Sequence, residues 1–394
     1  MTATSTTSRA GATPLWRDLR VLRIAAQVAV IVAVGLLAAF MIGNMLSAMS
    51  ERGLGFGFSF LGRQAGFEIS ETPIPYTATS TYGRAFLVGL LNTLFISFVG
   101  IVLATTLGIL VGVARLSNNW LLRNIAGAYV ELIRNTPLLV QLFFIYFTFI
   151  QLPSVADSLR LGTFGFLNQR GAFVPAPQAS GSFLPWLAFV ALGVAAAIGG
   201  RMVAARREER GQDPGRLRTI GLVGLLVLPV VGWLAVGGAP LTFELPTAQR
   251  FNIVGGLSLS PEFSALLIGL VIYTAAFIGE VVRGGIQAVR KGQLEAARAL
   301  GLSEGQVLRL VIFPQALRII VPPLTSQYLN LTKNSSLAVT IGYPDLFKVG
   351  QTMSNQTGQP VAVMILVMGT YLAISLVTSL LMNLYNRRVQ VIER

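Results

Sequence analysis

The sequence predicts an all-α integral membrane protein with about eight transmembrane helices. Three observations carry this. The 394 residues are 53% hydrophobic and 12% charged, far from the balance of a soluble domain. Apolar runs recur at a length of about 20 residues, what an α-helix needs to cross the hydrocarbon core. The basic residues behind the net charge of +14 fall in alternate loops, a membrane pattern and not the single patch of a nucleic-acid binder.

Composition also excludes chemistry. The chain has no Cys and no His. Thiol nucleophiles, disulfides, Cys/His metal sites and a Ser-His-Asp triad are therefore ruled out. No Gly-rich loop ends in Gly-Lys-Ser/Thr, so the chain carries no P-loop of its own. If ATP drives this protein, another subunit binds it.

In chain order, residues 1–20 read as a Ser/Thr-rich, basic tail. The first span, about Val21–Leu46, is too long for a cleaved signal peptide and reads as an anchor. It opens a region 21–84 that ends in a polar, Gly- and Pro-containing loop. Residues 85–151 hold a second span at Ala85–Ala114 and a third near Ile125–Gln151. Residues 152–260 begin with a Gly/Pro/Ser-rich loop to Ser182. They continue with spans at Phe183–Ala204 and Thr219–Gly238, then a loop with Pro240, Pro246 and Asn252. Residues 261–394 carry a sixth span at Phe263–Val282, a polar segment 284–320, a seventh at Ile319–Leu337 and an eighth at Val361–Asn386. With the N-terminus inside, inner loops collect 21 Lys and Arg and outer loops 7, with Arg134 and Lys333 inside spans. That bias predicts cytoplasmic N- and C-termini.

The polar segment 284–320 reads as two helices around a corner. Gln293 to Leu300 are strong helix formers, and Gly301 stands where a helix end favours glycine. Ser303 with Gln306 has the spacing of a capping box. The second helix runs to Phe313, where Pro314 bends or restarts it. Leu300, Leu302, Val307, Leu310 and Val311 can form an apolar face, with Arg298, Glu304 and Arg309 in water.

Polar residues inside the spans are the other signal. Asn92, Thr93 and Ser97, followed by Gly108 and Gly112, suit close helix packing; a direct role in transport is the alternative. Glu131 and Arg134 are neighbours at i,i+3, as are Glu280 and Arg283. Ionisable groups at that depth are costly unless paired or wet. The two couples either cross-pair as an inner gate or form a static network. Pro137 should kink the third span, with Gln141 one turn beyond. Asn330 to Ser336 interrupts an apolar span with six polar residues in seven, tolerated where the chain lines a cavity or is buried in protein. Asp345 and Lys348 then fall on the outer side.

These residues also carry a resemblance. Glu295-Ala296-Ala297, Gly301 and Val311-Ile312-Phe313-Pro314 resemble the EAA loop of ABC-importer permeases, with Val311 and Phe313 where Ile and Leu are more usual. Tyr129 to Leu142 resembles the amino-acid permease signature. Lys333-Asn334-Ser335-Ser336-Leu337 resembles the helix break on that family's translocation path. Spans two, three, six, seven and eight are similar to the five-helix core of type I amino-acid permeases. The long insert 152–260 resembles the polar and general L-amino-acid branch (His/Glu/Gln/Arg/opine).

The resemblance implies a type I permease core that moves L-amino acids into the cytoplasm by alternating access. It implies a coupling site at Glu295, Ala296, Ala297, Gly301 and Pro314. Its partners would be a cytoplasmic ABC ATPase dimer that binds ATP and Mg, a periplasmic amino-acid-binding protein, and a second permease subunit, a heterodimer being favoured over a homodimer. The chain would itself be no enzyme and would sit in the bacterial inner membrane. Gln141, Asn330, Lys333, Asn334, Ser335 and Ser336 become candidates for the substrate path. Lys333 either meets the substrate carboxylate or satisfies the broken helix or a neighbour's carboxylate, and Asp345 and Lys348 on the outer side are alternative contacts for the periplasmic binding protein. The basic loop Arg201–Arg218 either sets topology or contacts anionic lipid. Rival classes fit less well. An ion-driven transporter calls for inverted repeats and a membrane-centred carboxylate. An intramembrane enzyme lacks its His or Cys, and an uncoupled channel leaves the Glu-Ala-Ala segment unexplained.

Overall fold

The computed structural model describes residues 19–51, 57–162, 164–213, 215–249 and 252–389. Most of the expected tail 1–20 lies outside these residues. The described chain is mostly helical. Among the described residues, seven helices are long and apolar enough to cross a membrane, or eight if one bent pair is a single span.

α1 (Leu19–Glu51) is apolar all round and exposed along its length. α2 (Tyr82–Ala114) is capped by the Thr81 hydroxyl, which accepts from the Arg84 amide. It packs along α7 (Pro261–Gln287), which opens with a Ser260 cap and a proline in the first turn. Two glycines set that approach. A Cβ on Gly112 would stand 2.7 Å from the Gly279 carbonyl oxygen, and one on Gly108 2.5 Å from the Ile278 side chain.

The third expected span is broken rather than kinked. α3 (Trp120–Asn135) and α4 (Leu138–Ile150) meet at 105°. Proline lacks the amide for a continued helix and pushes the residue before it to extended geometry; Thr136 sits at φ −106°, ψ 130°. Gln141 bridges the break, its amide nitrogen donating to the Ile133 and Thr136 carbonyls at 2.9 and 3.0 Å.

The insert departs from an all-helical reading. α5 (Phe183–Glu209) and α6 (Gly215–Ala235) pack on each other as a hairpin, with the Trp186 indole donating to the Pro229 carbonyl. Around its far end lie, among the described residues, eight strands of two to four residues, β1 (Leu159–Arg160), β2 (Phe166–Asn168), β3 (Gly171–Val174), β4 (Ala176–Ala179), β5 (Leu241–Glu244), β6 (Thr247–Ala248), β7 (Ile253–Val254) and β8 (Leu257–Leu259). They form an antiparallel sheet in the order β1-β2-β3-β8 and two pairs, β4-β5 and β6-β7. The loops either side of the hairpin are thus a small β cap.

After α7 come α8 (Lys291–Ala299), α9 (Glu304–Val307), a π-turn at Leu308–Ile312 and α10 (Phe313–Asn334). A tight 3-10 stretch, Ser335–Thr340, ends the polar interruption. The outer loop expected after it instead contains α11 (Leu346–Thr357), closed by Gly358 at φ 65°. α12 (Pro360–Val389) is the last described element. The main core gathers on α7, where Leu266, Leu270 and Ile278 pack with Leu142, Leu331 and Tyr343. A second cluster joins Phe60 and Tyr82 to Leu346, Met353 and Val363.

Candidate functional site: a helical corner, two polar cavities and an outer network

The corner forms as the sequence dictates. α8 ends at Ala299 and Gly301 takes φ 78°, a backbone conformation that L side chains rarely adopt, with open space where a Cβ would stand. Ser303 and Gln306 complete the capping box, the Ser303 amide donating to the Gln306 side chain at 2.8 Å. Arg298 ties the corner to Glu304 through two hydrogen bonds of 2.8 and 3.1 Å. Pro314 falls in the first turn of α10, and the π-turn before it carries the helix on without a break. The expected apolar face is only partly there. Val307 is buried, Leu302 and Val311 are half-buried, and Leu300 and Leu310 are 83% and 59% exposed. The reason is geometric: the Gly301 turn swings Leu300 away from α9, and the π-turn shifts Leu310 off its helical stripe. Glu295 and Ala296 are exposed and Ala297 is buried, so one face of α8 stays free beside the protruding Leu300.

The charged couples do not cross-pair in this conformation. Glu280 forms ion pairs with Arg283, its i,i+3 neighbour, and with Arg115 at the end of α2. The guanidinium of Arg134 lies over the Phe277 ring, 5.2 Å from its centre. Glu131 has no ion pair among the described residues. Arg115, Glu131, Arg134, Asn135, Phe277 and Glu280 line a cavity of about 320 Å³. Sequence reasoning counted Arg115 as a loop charge and missed it here, since nothing local places it against a residue 165 positions on.

A second cavity, of about 280 Å³, is lined by Tyr273, Thr274, Phe277, Gln327, Asn330 and Asn334. Phe277 is common to both and packs on Tyr273 at 4.9 Å between ring centres. Of the residues expected on a substrate path, Asn330 and Asn334 reach this cavity. Gln141 lines neither cavity and holds the α3–α4 break. The Ser335 and Ser336 hydroxyls donate to the Thr332 and Lys333 carbonyls at 2.8 and 2.7 Å. Lys333 is exposed and lies outside both linings. Thr274 and Gln327, two further polar wall residues, gave no signal in a mostly apolar sequence.

At the other end of the bundle polar groups close a network. Asn92 donates to the Glu71 and Pro344 carbonyls, each at 2.9 Å, and the Thr93 hydroxyl accepts from the Leu346 amide. Both are packing groups, and Gly108 and Gly112 serve the close approach expected of them. Asp345 is fully buried, so it is not the surface contact its position in a loop suggested. It caps α11 by accepting from the Lys348 amide and takes a second hydrogen bond from Tyr371. Burial pushes its carboxyl up to about 6, against the lowering effect of the amides it accepts from.

A bundle of membrane-length helices with polar cavities inside and an exposed helical corner at one end defines a component of a membrane transport system. The chain belongs to the family of binding-protein-dependent transport system inner membrane components, which it matches over residues 104–391. It is 47% identical to the general L-amino acid transport system permease protein AapQ of Rhizobium johnstonii, over 86% of this chain and 84% of that one. It is 39% identical to the glutamate/glutamine/aspartate/asparagine transport system permease protein BztB of Rhodobacter capsulatus, over 90% of each. The protein YhdX of Escherichia coli (strain K12) is 44% identical over 93% of this chain and 94% of its own.

Proposed function

We propose that this chain is the transmembrane permease subunit of an ATP-driven ABC importer that moves L-amino acids into the cytoplasm by alternating access. The observation that carries the reading is the corner at Gly301. It holds Glu295, Ala296 and Ala297 on α8, which the Arg298–Glu304 ion pair ties across the turn to α9, and α9 runs without a break through the π-turn and Pro314 into α10. A push on α8 therefore reaches the wall of the amide-lined cavity at Asn330 and Asn334. The partner for α8 is a cytoplasmic ABC ATPase dimer, which binds and hydrolyses ATP with Mg. The names borne by AapQ and BztB support L-amino acids as cargo. The Lys/Arg bias supports an orientation with both termini and the corner in the cytoplasm of a bacterial inner membrane. A periplasmic amino-acid-binding protein then meets the opposite end. A second, related permease completes the pore, a heterodimer being favoured over a homodimer by the long insert.

Asn330 and Asn334 are the path residues the geometry favours, with Lys333, Ser335, Ser336 and Gln141 holding the breaks that shape it. Glu131, Arg134, Glu280 and Arg283 act as an inner gate, not cross-paired in this conformation because Arg134 lies on Phe277 and not on Glu280. The test is amino-acid uptake by proteoliposomes holding the permeases, the ATPase and the binding protein. Gly301→Asp is the informative variant, since Asp tolerates a left-handed backbone better than most residues. ATP-dependent uptake that this variant abolishes while the subunits still assemble supports the reading. Uptake without ATP or without the ATPase overturns it.

A further inference from the structure

The cavity at Glu131 and Arg134 holds charges that the fold itself leaves unsatisfied. Glu280 is bracketed by Arg115 and Arg283. Glu131 and Arg134, one turn apart on α3, are not paired with each other, because Arg134 is turned onto the Phe277 face. Neighbours at i,i+3 lie roughly 5–6 Å apart at Cβ, a span that two oppositely charged groups on one small carbon can bridge. The cavity's about 320 Å³ is at the lower end of ligand-site volumes. Two guanidinium groups and two carboxylates line it, so its walls are neutral overall while offering one free charge of each sign.

A ligand that carries one group of each sign on a single carbon fits that arrangement, and one with only a carboxylate or only an ammonium does not. The amide-lined cavity shares Phe277 with it. We propose that the Arg115–Glu131–Arg134–Glu280 cavity is a second binding site on the path, an exit site for the backbone of an α-amino acid. In it the α-carboxylate meets the Arg134 guanidinium and the α-ammonium meets the Glu131 carboxylate. Phe277 is the partition between this site and the amide-lined one, held shut by Arg134. When the carboxylate draws Arg134 away from the ring, the partition is released. The amide cavity, with no charged wall residue, reads the side chain; the exit site reads the backbone common to all the cargo. This rests on the proposed function for the identity of the cargo, and its test does not use transport.

The absence of Cys from the chain provides the assay. Asn135→Cys places a single thiol of this subunit in the cavity wall. In inside-out membrane vesicles carrying the complete transporter, its labelling by a membrane-impermeant maleimide is followed on the permease band. L-glutamine, L-alanine and L-serine are each expected to slow labelling. L-glutaminamide, lacking the carboxylate, and N-acetyl-L-glutamine, lacking the ammonium, are expected not to. Adding Glu131→Gln or Arg134→Gln should raise the half-protecting concentration about tenfold or more, the loss of one charge-assisted hydrogen bond. Protection by none of the three amino acids, or equal protection by the two blocked derivatives, overturns the proposal. The derivative comparison uses Asn135→Cys alone, so it stands even if a charge variant fails to assemble. Uptake failing while protection holds would overturn the importer reading and leave this site in place.

Discussion

Arg115, at the end of α2, and Glu280, on α7, form an ion pair across 165 residues of sequence. Both side chains are mostly covered, and Arg283 approaches the same carboxylate from the next turn. The pair therefore ties the two most closely packed helices of the core at the level of the charged cavity. It also decides what Arg134 can do, because Glu280 already has two partners.

Charge exchange across this pair is expected to be specific. Glu280→Arg combined with Arg115→Glu should recover assembly and thermal stability better than Glu280→Arg combined with Arg134→Glu. A double-mutant cycle on Arg115→Gln and Glu280→Gln should give a coupling of about 1–3 kcal/mol. The melting temperature of the detergent-purified protein checks both. Equal rescue by Arg134→Glu would mean that the arrangement seen here is not the resting one.

Gly301 should respond to backbone conformation and not to bulk. Its φ of 78° leaves open space around an added Cβ, so a β-branched side chain is strained without any clash. Gly301→Val should weaken the corner by about 1–2 kcal/mol, with Gly301→Asn milder because Asn visits the left-handed region. Proteolysis of the α8–α9 corner in purified protein is the measurement. Val and Asn variants of equal sensitivity would contradict it.

Two glycines should behave in opposite ways under the same substitution. Gly112→Ala sets a methyl 2.7 Å from the Gly279 carbonyl oxygen, a backbone atom that cannot move cheaply, and should cost about 1–3 kcal/mol. Gly127→Ala, on α3 with nothing within 4 Å, removes backbone freedom from a helix and should stabilise by roughly 0.5–1 kcal/mol. Thermal melting of the two variants in one detergent gives the comparison.

Asp345 predicts a pH dependence of stability. Its folded value of about 6 lies above the ordinary 3.8 because the carboxyl is buried. A raised value means the folded state holds the proton more tightly than the unfolded chain. The stabilisation is thus complete below about pH 3.8 and is lost as pH rises through about 6. The shift corresponds to something on the order of 3 kcal/mol. Glu71, also raised mainly by burial, acts in the same direction. Asp345→Asn keeps a side-chain oxygen for the α11 cap and should flatten the melting temperature between about pH 3.8 and pH 6, the window set by the two values. An unchanged slope in this variant would place the dependence elsewhere.

Much of the fold was legible because its signals are local. Helix lengths follow from apolar runs. The corner follows from Gly301 and from Ser303 reaching Gln306, contacts within four positions. Pro137 announced a disruption of α3 and α4, though its size, 105°, depended on Gln141 stepping in for the lost backbone bonds. The strands of the insert escaped because segments of two to four residues are too short to show an alternation of period two. α11 escaped because twelve residues of mixed polarity resemble a loop until packing against α2 buries one side.

By itself, then, the sequence determined the spans, the helical corner and the closeness of α2 to its neighbour, since each depends on residue type and spacing along one helix. Only the tertiary structure decided which charges meet. Arg115 rather than Arg134 reaches Glu280, Asn330 and Asn334 but not Lys333 enter a cavity, and Asp345 is buried and not exposed. Those outcomes depend on the rotation and depth of one helix against another. That freedom is fixed by packing at residues such as Gly112 and Gly279, which adjoin Arg115 and Glu280 in sequence but meet each other only when α2 packs on α7.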